Sequence, residues 1–293
     1  MPRTAKPRPP APAQEKQSAD PSVLSAGSKP DADAGQVRVL ARGLSILRAF
    51  TPRNDWLSNQ EIAAKTSLPR PTVSRLTTNL TGIGYLSYST ASRKYRLGTS
   101  VLALGFSALA NMDIRVLARP LLQRLADEED APVVLASRDG MAMVCNEVCH
   151  SSKSIFSLRV NVGSRLILPY SAMGLALLGA MTPEERDEAL REISSSFKKN
   201  WRELQKLIDA AVEEYRRCGF CTTAETLESG INGIAVVVDV PGAPHSFTIG
   251  LAGPNFRFPA ERFESDVGHK LLAVRRELET RLAERMPNTG DPR

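Results

Sequence analysis

The chain has 293 residues and a net charge of +6, which is long enough for two domains with tails. The charge is uneven, because residues 37–111 carry +8 and residues 112–293 carry −3. This split indicates that one end of the chain meets a polyanion and the other does not. No apolar run approaches the ~18 residues of a membrane span and no signal peptide is expected, so we expect a cytoplasmic protein.

The N-terminal region divides into a tail and a first helix. Residues 1–36 are rich in Pro, Ala, Ser and Lys, so we expect a disordered tail, with a second tail at 287–293. Apolar residues then recur at helical spacing through 37–50, which predicts a helix that packs on the following segment.

Residues 57–82 predict a helix-turn-helix. Ser58 and Glu61 have the spacing of a capping box at the start of the first helix, and Pro71 suits the first turn of the second. The second helix, about 71–82, presents an outward face of polar and basic residues: Arg70, Thr72, Ser74, Arg75, Thr78 and Asn79. Residues 85–88 and 94–97 then read as a two-stranded wing. Residues 37–98 are therefore predicted to be a winged helix-turn-helix that binds double-stranded DNA.

Residues 99–113 predict an apolar linker helix, which either packs against a partner subunit or joins the domains. Residues 114–286 form the second predicted domain. Its expected helices are 114–130, 171–181, 183–194, 201–217 and 259–284. Its expected strands are 133–137, 141–148, 154–160, 220–226, 231–240 and 246–252, with a tight hairpin at Asp139-Gly140. Runs of strands with intervening helices indicate an α+β fold with a mainly antiparallel sheet.

The sequence favours neither a metal site nor an enzyme. Cys145, Cys149, Cys218 and Cys221 are interpreted as buried thiols rather than zinc ligands. The three histidines are far apart in sequence, and we find no nucleophile elbow, P-loop or dinucleotide-binding motif. We therefore expect no cofactor and no catalytic residue.

The order of motifs resembles the IclR family of bacterial transcriptional regulators. The matching pieces are ARGLSILRAF, LSNQEIAAKTSLPRPTVSRL, YRLG, ARPLLQRLADE, VGSRL, GLALLGA, ESGINGIAVVV and LAGP, which span about 37–285. The resemblance implies a winged helix-turn-helix, a linker helix and an effector-binding domain related to GAF domains. It also implies a homodimer or homotetramer.

The resemblance assigns roles on the basic module. Arg70, Thr72, Ser74 and Arg75 fall where the family's recognition helix meets the major groove, and Asn79 extends the same face. The wing cations that fall beside the DNA backbone are Arg93, Lys94 and Arg96. An arginine fork can read guanine, whereas wing cations mainly position the duplex.

The effector site departs from the family pattern. Four positions that are polar in relatives binding small carboxylates are here Thr223, Gly233, Gly250 and Ala252, and a histidine and a lysine are replaced by Pro169 and Leu175. The backbone amides at Ser171, Ala172 and Met173 still start a helix that can hold an anion. We expect a roomier, more apolar pocket. Such a pocket fits an aromatic or other apolar acid better than glyoxylate or pyruvate, but a domain that has lost ligand sensing remains equally open.

The sequence thus predicts a DNA-binding transcriptional regulator that reads a pseudo-palindromic operator and responds to a small-molecule effector. The alternative is an oligomeric ligand-binding or interaction protein whose DNA module reads no specific site. Salt dependence and competition by nonspecific DNA separate the two.

Overall fold

The computed structural model describes residues 36–51, 54–153, 158–240 and 246–285. Both predicted tails lie outside the described residues, except for Gln36, which begins the first helix.

The N-terminal module is built from three helices and a hairpin. Its elements are α1 Gln36–Arg48, α2 Asn59–Thr66, α3 Arg70–Gly82, β1 Leu86–Ser89 and β2 Lys94–Leu97. Ile46, Ile62 and Val73 are fully buried where the three helices meet. The predicted capping box is present, since Ser58 N donates to Glu61 Oε2 at 2.7 Å and Glu61 N donates to Ser58 Oγ at 3.3 Å.

The wing is attached to the helices through its second strand. β1 and β2 pair antiparallel, with Leu86 opposite Leu97. Leu57, just before α2, forms an isolated bridge with Tyr95: Leu57 N donates to the Tyr95 carbonyl oxygen at 2.9 Å, and Tyr95 N donates to the Leu57 carbonyl oxygen at 2.8 Å. The wing is therefore a hairpin with a short third strand segment, which fixes it beside α2 and α3.

One helix, α4 (Thr99–Ala110), connects the module to the second domain, and the next helix, α5 (Asp113–Glu129), begins that domain. Within the described part of the chain, no single helix is long and apolar enough to cross a bilayer; α4 and α5 meet that test only as a pair, which is bent by 79°.

The second domain is α+β, as predicted. Its remaining helices are α6 Ala172–Ala180, α7 Pro183–Ser196, α8 Trp201–Cys218, α9 Ala260–Arg262 and α10 Gly268–Arg285. Its strands are β3 Val133–Asp139, β4 Ala142–Cys149, β5 Arg165–Ile167, β6 Cys221–Ala224, β7 Ile231–Val238 and β8 Phe247–Pro254. They form one antiparallel sheet in the order β5-β4-β3-β8-β7-β6.

The sheet is covered on both faces. α5 and α10 pack on one face, where Leu135, Val236 and Leu271 are buried in one apolar core. α6 and α8 cover the other face, where Val237, Leu175 and Ile208 belong to a second core. Strand alternation sends successive residues to opposite faces, so β3, β4 and β7 each contribute buried residues to both cores.

One strand prediction for this domain needs correction. The strand expected at 154–160 is wrong for residues 158–160, and residues 154–157 lie outside the described part. The strand that pairs with β4 is Arg165–Ile167, because a turn at Gly163, with φ of +85°, brings the following residues alongside β4. The final helix runs from 260 to 285 but contains a π-helical turn at Phe263–Val267.

Candidate nucleic-acid interface and effector site

The outward face of α3 is open to solvent. Four of the predicted contact residues are exposed and Thr72 is half-buried; the exposed ones are Arg70, Ser74, Arg75 and Asn79. Val73 and Leu76 are buried on the opposite side of the helix. Neither Arg70 nor Arg75 has an ion-pair partner among the residues that the structure describes, so both guanidinium groups can reach a ligand without breaking a contact.

A buried hydroxyl joins the two helices of the helix-turn-helix. Thr77 is completely buried on α3, and its Oγ1 lies 3.0 Å from Asn59 Oδ1 at the start of α2. The same hydroxyl lies 3.0 Å from the carbonyl oxygen of Val73. This pair could not be predicted from the sequence, because Thr77 stands beside the exposed Thr78 and nothing in the pattern distinguishes them.

The three wing cations differ in their surroundings. Arg93 is exposed in the wing turn, with φ of +54°, and its guanidinium forms no ion pair or hydrogen bond within the described chain. Lys94 Nζ lies 3.4 Å from a Glu61 carboxylate oxygen, and the Arg96 guanidinium lies 5.1 Å from the ring centroid of Trp56. Two of the three cations are therefore held by neighbouring side chains of the module itself.

Glu61 is held in its charged form. Hydrogen bonds from the backbone and the side chain of Ser58, with a smaller contribution from Lys94, lower the pKa of its carboxyl. The carboxylate therefore stays charged at neutral pH and offsets the charge of Lys94. Sequence reasoning missed this pairing because Glu61 and Lys94 are 33 residues apart.

Most of the predicted effector residues do converge. Thr223 is the cross-strand partner of Gly233, and Gly233 is the partner of Ala252. A Cβ atom at Gly233 would lie 3.0 Å from Thr223 Oγ1 and 3.5 Å from Ala172 Cβ. Three strands and the first turn of α6 thus meet at one place on the sheet.

The space in front of Gly250 is filled rather than empty. A Cβ at Gly250 would lie 2.7 Å from Met173 Cγ and 3.2 Å from Met173 Sδ. Met173 itself is buried. The expectation of a roomier pocket is therefore wrong at this position, because the Met173 side chain from α6 occupies the space in front of Gly250.

The first turn of α6 offers two of the three predicted amide donors, since Ser171 N already donates to the Ile167 carbonyl oxygen at 3.1 Å. Ser171 is the N-cap residue, and its Oγ accepts a hydrogen bond from Gly174 N at 3.1 Å. The amides of Ala172 and Met173 belong to the first turn, where an α-helix supplies no acceptor of its own. Pro169 and Leu175 are buried beside this turn. The site therefore combines two backbone donors with apolar walls.

The cysteines lie in the apolar interior, as predicted for three of the four. Cys145, Cys149 and Cys221 are buried, whereas Cys218 is half-buried. Burial raises the pKa of Cys145 to about 12 and that of Cys149 to about 11. Both are neutral thiols at physiological pH, which is a poor state for ligating a metal or attacking an electrophile.

Comparison with protein families gives two matches. Residues 106–280 match the model described as bacterial transcriptional regulator IclR C-terminal. Residues 39–90 match the model of the IclR helix-turn-helix domain.

Individual relatives agree with the family matches. The HTH-type transcriptional regulator TsaQ1/TsaQ2 of Comamonas testosteroni is 30% identical, over 88% of this chain and 92% of that protein. The Pca regulon regulatory protein of Pseudomonas putida is also 30% identical, over 68% of each chain.

Solved structures show the same fold. An IclR family transcriptional regulator from Brucella abortus is 36% identical and superposes with a TM-score of 0.80, over 89% of this chain and 98% of that one. An IclR homologue from Microbacterium hydrocarbonoxydans, complexed with 4-hydroxybenzoate, is 22% identical with a TM-score of 0.64, over 84% of this chain and 99% of that one.

Proposed function

The chain belongs to the IclR family of bacterial transcriptional regulators, and we propose that it binds a pseudo-palindromic operator as a dimer whose affinity responds to an apolar or aromatic acid. It is a DNA-binding regulator with a C-terminal ligand-binding domain, and it is not an enzyme. We further propose that it acts in the cytoplasm, where bacterial DNA is accessible.

The unpartnered arginines on α3 carry the DNA proposal. Arg70 and Arg75 stand exposed on a helix whose other side is packed in the module, and the module as a whole carries +8. Arg75 reads a guanine edge, Ser74, Thr72 and Asn79 make polar contacts, and the wing lies along the phosphates. A titration with and without excess nonspecific DNA tests this. If excess nonspecific DNA abolishes binding to the operator, the result supports the alternative, in which the module reads no specific site.

The dimer proposal rests on α4. This helix is described along its whole length and has no buried residue in the single chain. Leu102, Leu104 and Phe106 are 72%, 57% and 69% exposed. Together they form an apolar surface whose exposure to water is unfavourable. A second copy of α4 would cover it and place two recognition helices about one turn of DNA, ~34 Å, apart.

Mass measurement tests the assembly directly. We expect the full chain in solution to have the mass of a dimer or of a tetramer of two such dimers. A monomer at micromolar concentration would contradict the proposed role of α4.

The effector proposal rests on the first turn of α6. A carboxylate would accept hydrogen bonds from the amides of Ala172 and Met173, and an apolar body would lie on Gly250 and Ala252 after displacing the Met173 side chain. Methionine is unbranched and moves readily between rotamers. A small acid such as glyoxylate gains little apolar contact there, whereas an aromatic ring does. The same fold holds 4-hydroxybenzoate in the Microbacterium homologue.

A second candidate is a domain that serves only assembly, and Met173 favours it because the side chain already fills the site. A thermal-shift comparison of 4-hydroxybenzoate, glyoxylate and pyruvate decides between them. Saturable stabilisation by the aromatic acid alone supports the effector proposal. Stabilisation by glyoxylate or pyruvate contradicts it, and no response to any acid favours the assembly domain.

A further inference from the structure

The hairpin between β3 and β4 forms an ion pair with the DNA-binding module. Arg48 is the last residue of α1, and Asp139 is the last residue of β3. Arg48 Nη2 lies 3.3 Å from Asp139 Oδ1, across 91 residues of sequence. A side chain of the DNA-binding module is thus paired with a carboxylate of the effector domain.

The same carboxylate also holds the strand that leads to the effector site. Arg165, the first residue of β5, places Nη1 2.6 Å from Asp139 Oδ2 and donates through Nη2 to the Asp139 carbonyl oxygen at 3.1 Å. Partial burial favours the neutral acid, but the hydrogen bond and charge of Arg165, with the charge of Arg48, outweigh it and lower the pKa of Asp139. The carboxylate is charged at neutral pH and is shared between two arginines.

The chain from Arg165 to the effector site is short and hydrogen-bonded. β5 runs directly into a single 3-10 turn at Leu168–Tyr170 and then into Ser171, the N-cap of α6. Leu168 N donates to the Met141 carbonyl oxygen at 3.0 Å, which ties this turn to the same hairpin. A displacement of the first turn of α6 would therefore also displace the β3–β4 hairpin that carries Asp139.

We propose that Asp139 is a positioning residue that ties α1 of the DNA-binding module to the segment entering α6, so that the placement of the recognition helix depends on the effector site. This rests on the proposed function. The Arg48 and Asp139 side chains are 55% and 40% exposed, so the ion pair favours one placement of the module only weakly and does not fix it. An ion pair of this exposure changes an equilibrium by up to about five-fold.

A double-mutant cycle on the full chain tests the proposal. The variants are Arg48→Ala, Asp139→Ala and the double substitution, with Asp139→Asn as a variant of conserved size. Each is titrated with a duplex carrying both half-sites of a selected operator and with a duplex carrying one. Arg217→Ala is the matched control, because its ion pair with Glu264 is similarly exposed, at 3.1 Å, but lies within the effector domain.

We expect each single variant to bind the full operator two- to five-fold more weakly, with the double variant no weaker than Asp139→Ala alone, because Asp139→Ala also removes the contact with Arg165. Affinity for the half-site duplex stays unchanged, because one module needs no fixed orientation towards the other domain. The control variant binds both duplexes as the unmodified chain does.

Three results would overturn the inference: additive effects of the two substitutions, equal losses on the half-site duplex, or stronger operator binding by the variants. Equal losses would mean that Arg48 touches DNA itself. If the unmodified chain fails to distinguish the operator from random DNA, the proposed function has failed, and this failure is visible before any variant is compared.

Discussion

Replacing Arg75 with alanine separates base reading from simple charge attraction. Arg75 is exposed on α3 and makes no ion pair in the described chain, so its removal leaves the packing of the module intact. A lost guanine contact costs about 1–3 kcal/mol, which is about 5- to 150-fold in affinity for each half-site. We therefore expect Arg75→Ala to weaken operator binding far more than binding to scrambled DNA.

Arg93→Ala is the matched control for this prediction. It removes the same side chain from an equally open place, but from the wing turn, where phosphates are the expected partners. It should weaken binding to both duplexes alike and lower the salt dependence by about one unit in each subunit. Fluorescence anisotropy titrations at four salt concentrations measure both quantities. Equal losses by Arg75→Ala on operator and scrambled DNA would refute the base-reading role.

Three further predictions follow from neighbouring contacts. Lys94→Ala should lower the salt dependence of DNA binding much less than Arg93→Ala, since the Glu61 carboxylate already offsets the lysine charge. An equal decrease in salt dependence for the two variants would contradict this prediction. Thr77→Val should lower the free energy of unfolding by about 1–3 kcal/mol in thermal melts, whereas Thr78→Val, at an exposed site, should cost less than about 0.5 kcal/mol. Phe106→Glu should raise the dimer dissociation constant at least about ten-fold in analytical ultracentrifugation. An unchanged dissociation constant would show that α4 is not part of the dimer interface.

Local features of the fold could be predicted from the sequence because neighbouring residues determine them. Ser58 and Glu61 form the expected capping box, since their spacing alone brings the two side chains to the helix start. The Asp139-Gly140 pair makes the expected hairpin, with Gly140 at φ of +59°. The strand expected at 154–160 was placed too early, because the turn at Gly163 determines where β5 begins, and strand alternation in the preceding residues carries no information about that turn.

The features that were not predicted depend on residues distant in sequence. Gly250 indicates that a side chain is missing, but not that Met173 from α6 fills the space. The pairing of Arg48 with Asp139 depends on how two separate units of the chain meet. Periodicity and spacing do not encode such contacts. The sequence therefore predicted a set of residues that lie close together in the structure, but not that the space in front of Gly250 is filled.

Selection of bound sequences from a random duplex library tests the central claim most directly. The full chain is incubated with the library at physiological salt and excess nonspecific DNA, and the retained duplexes are sequenced. We expect enrichment of one pseudo-palindrome with half-site centres about 10 base pairs apart, or a multiple of that spacing. Retained duplexes with no shared sequence would contradict a regulator that reads an operator and would leave only a basic module that binds any DNA.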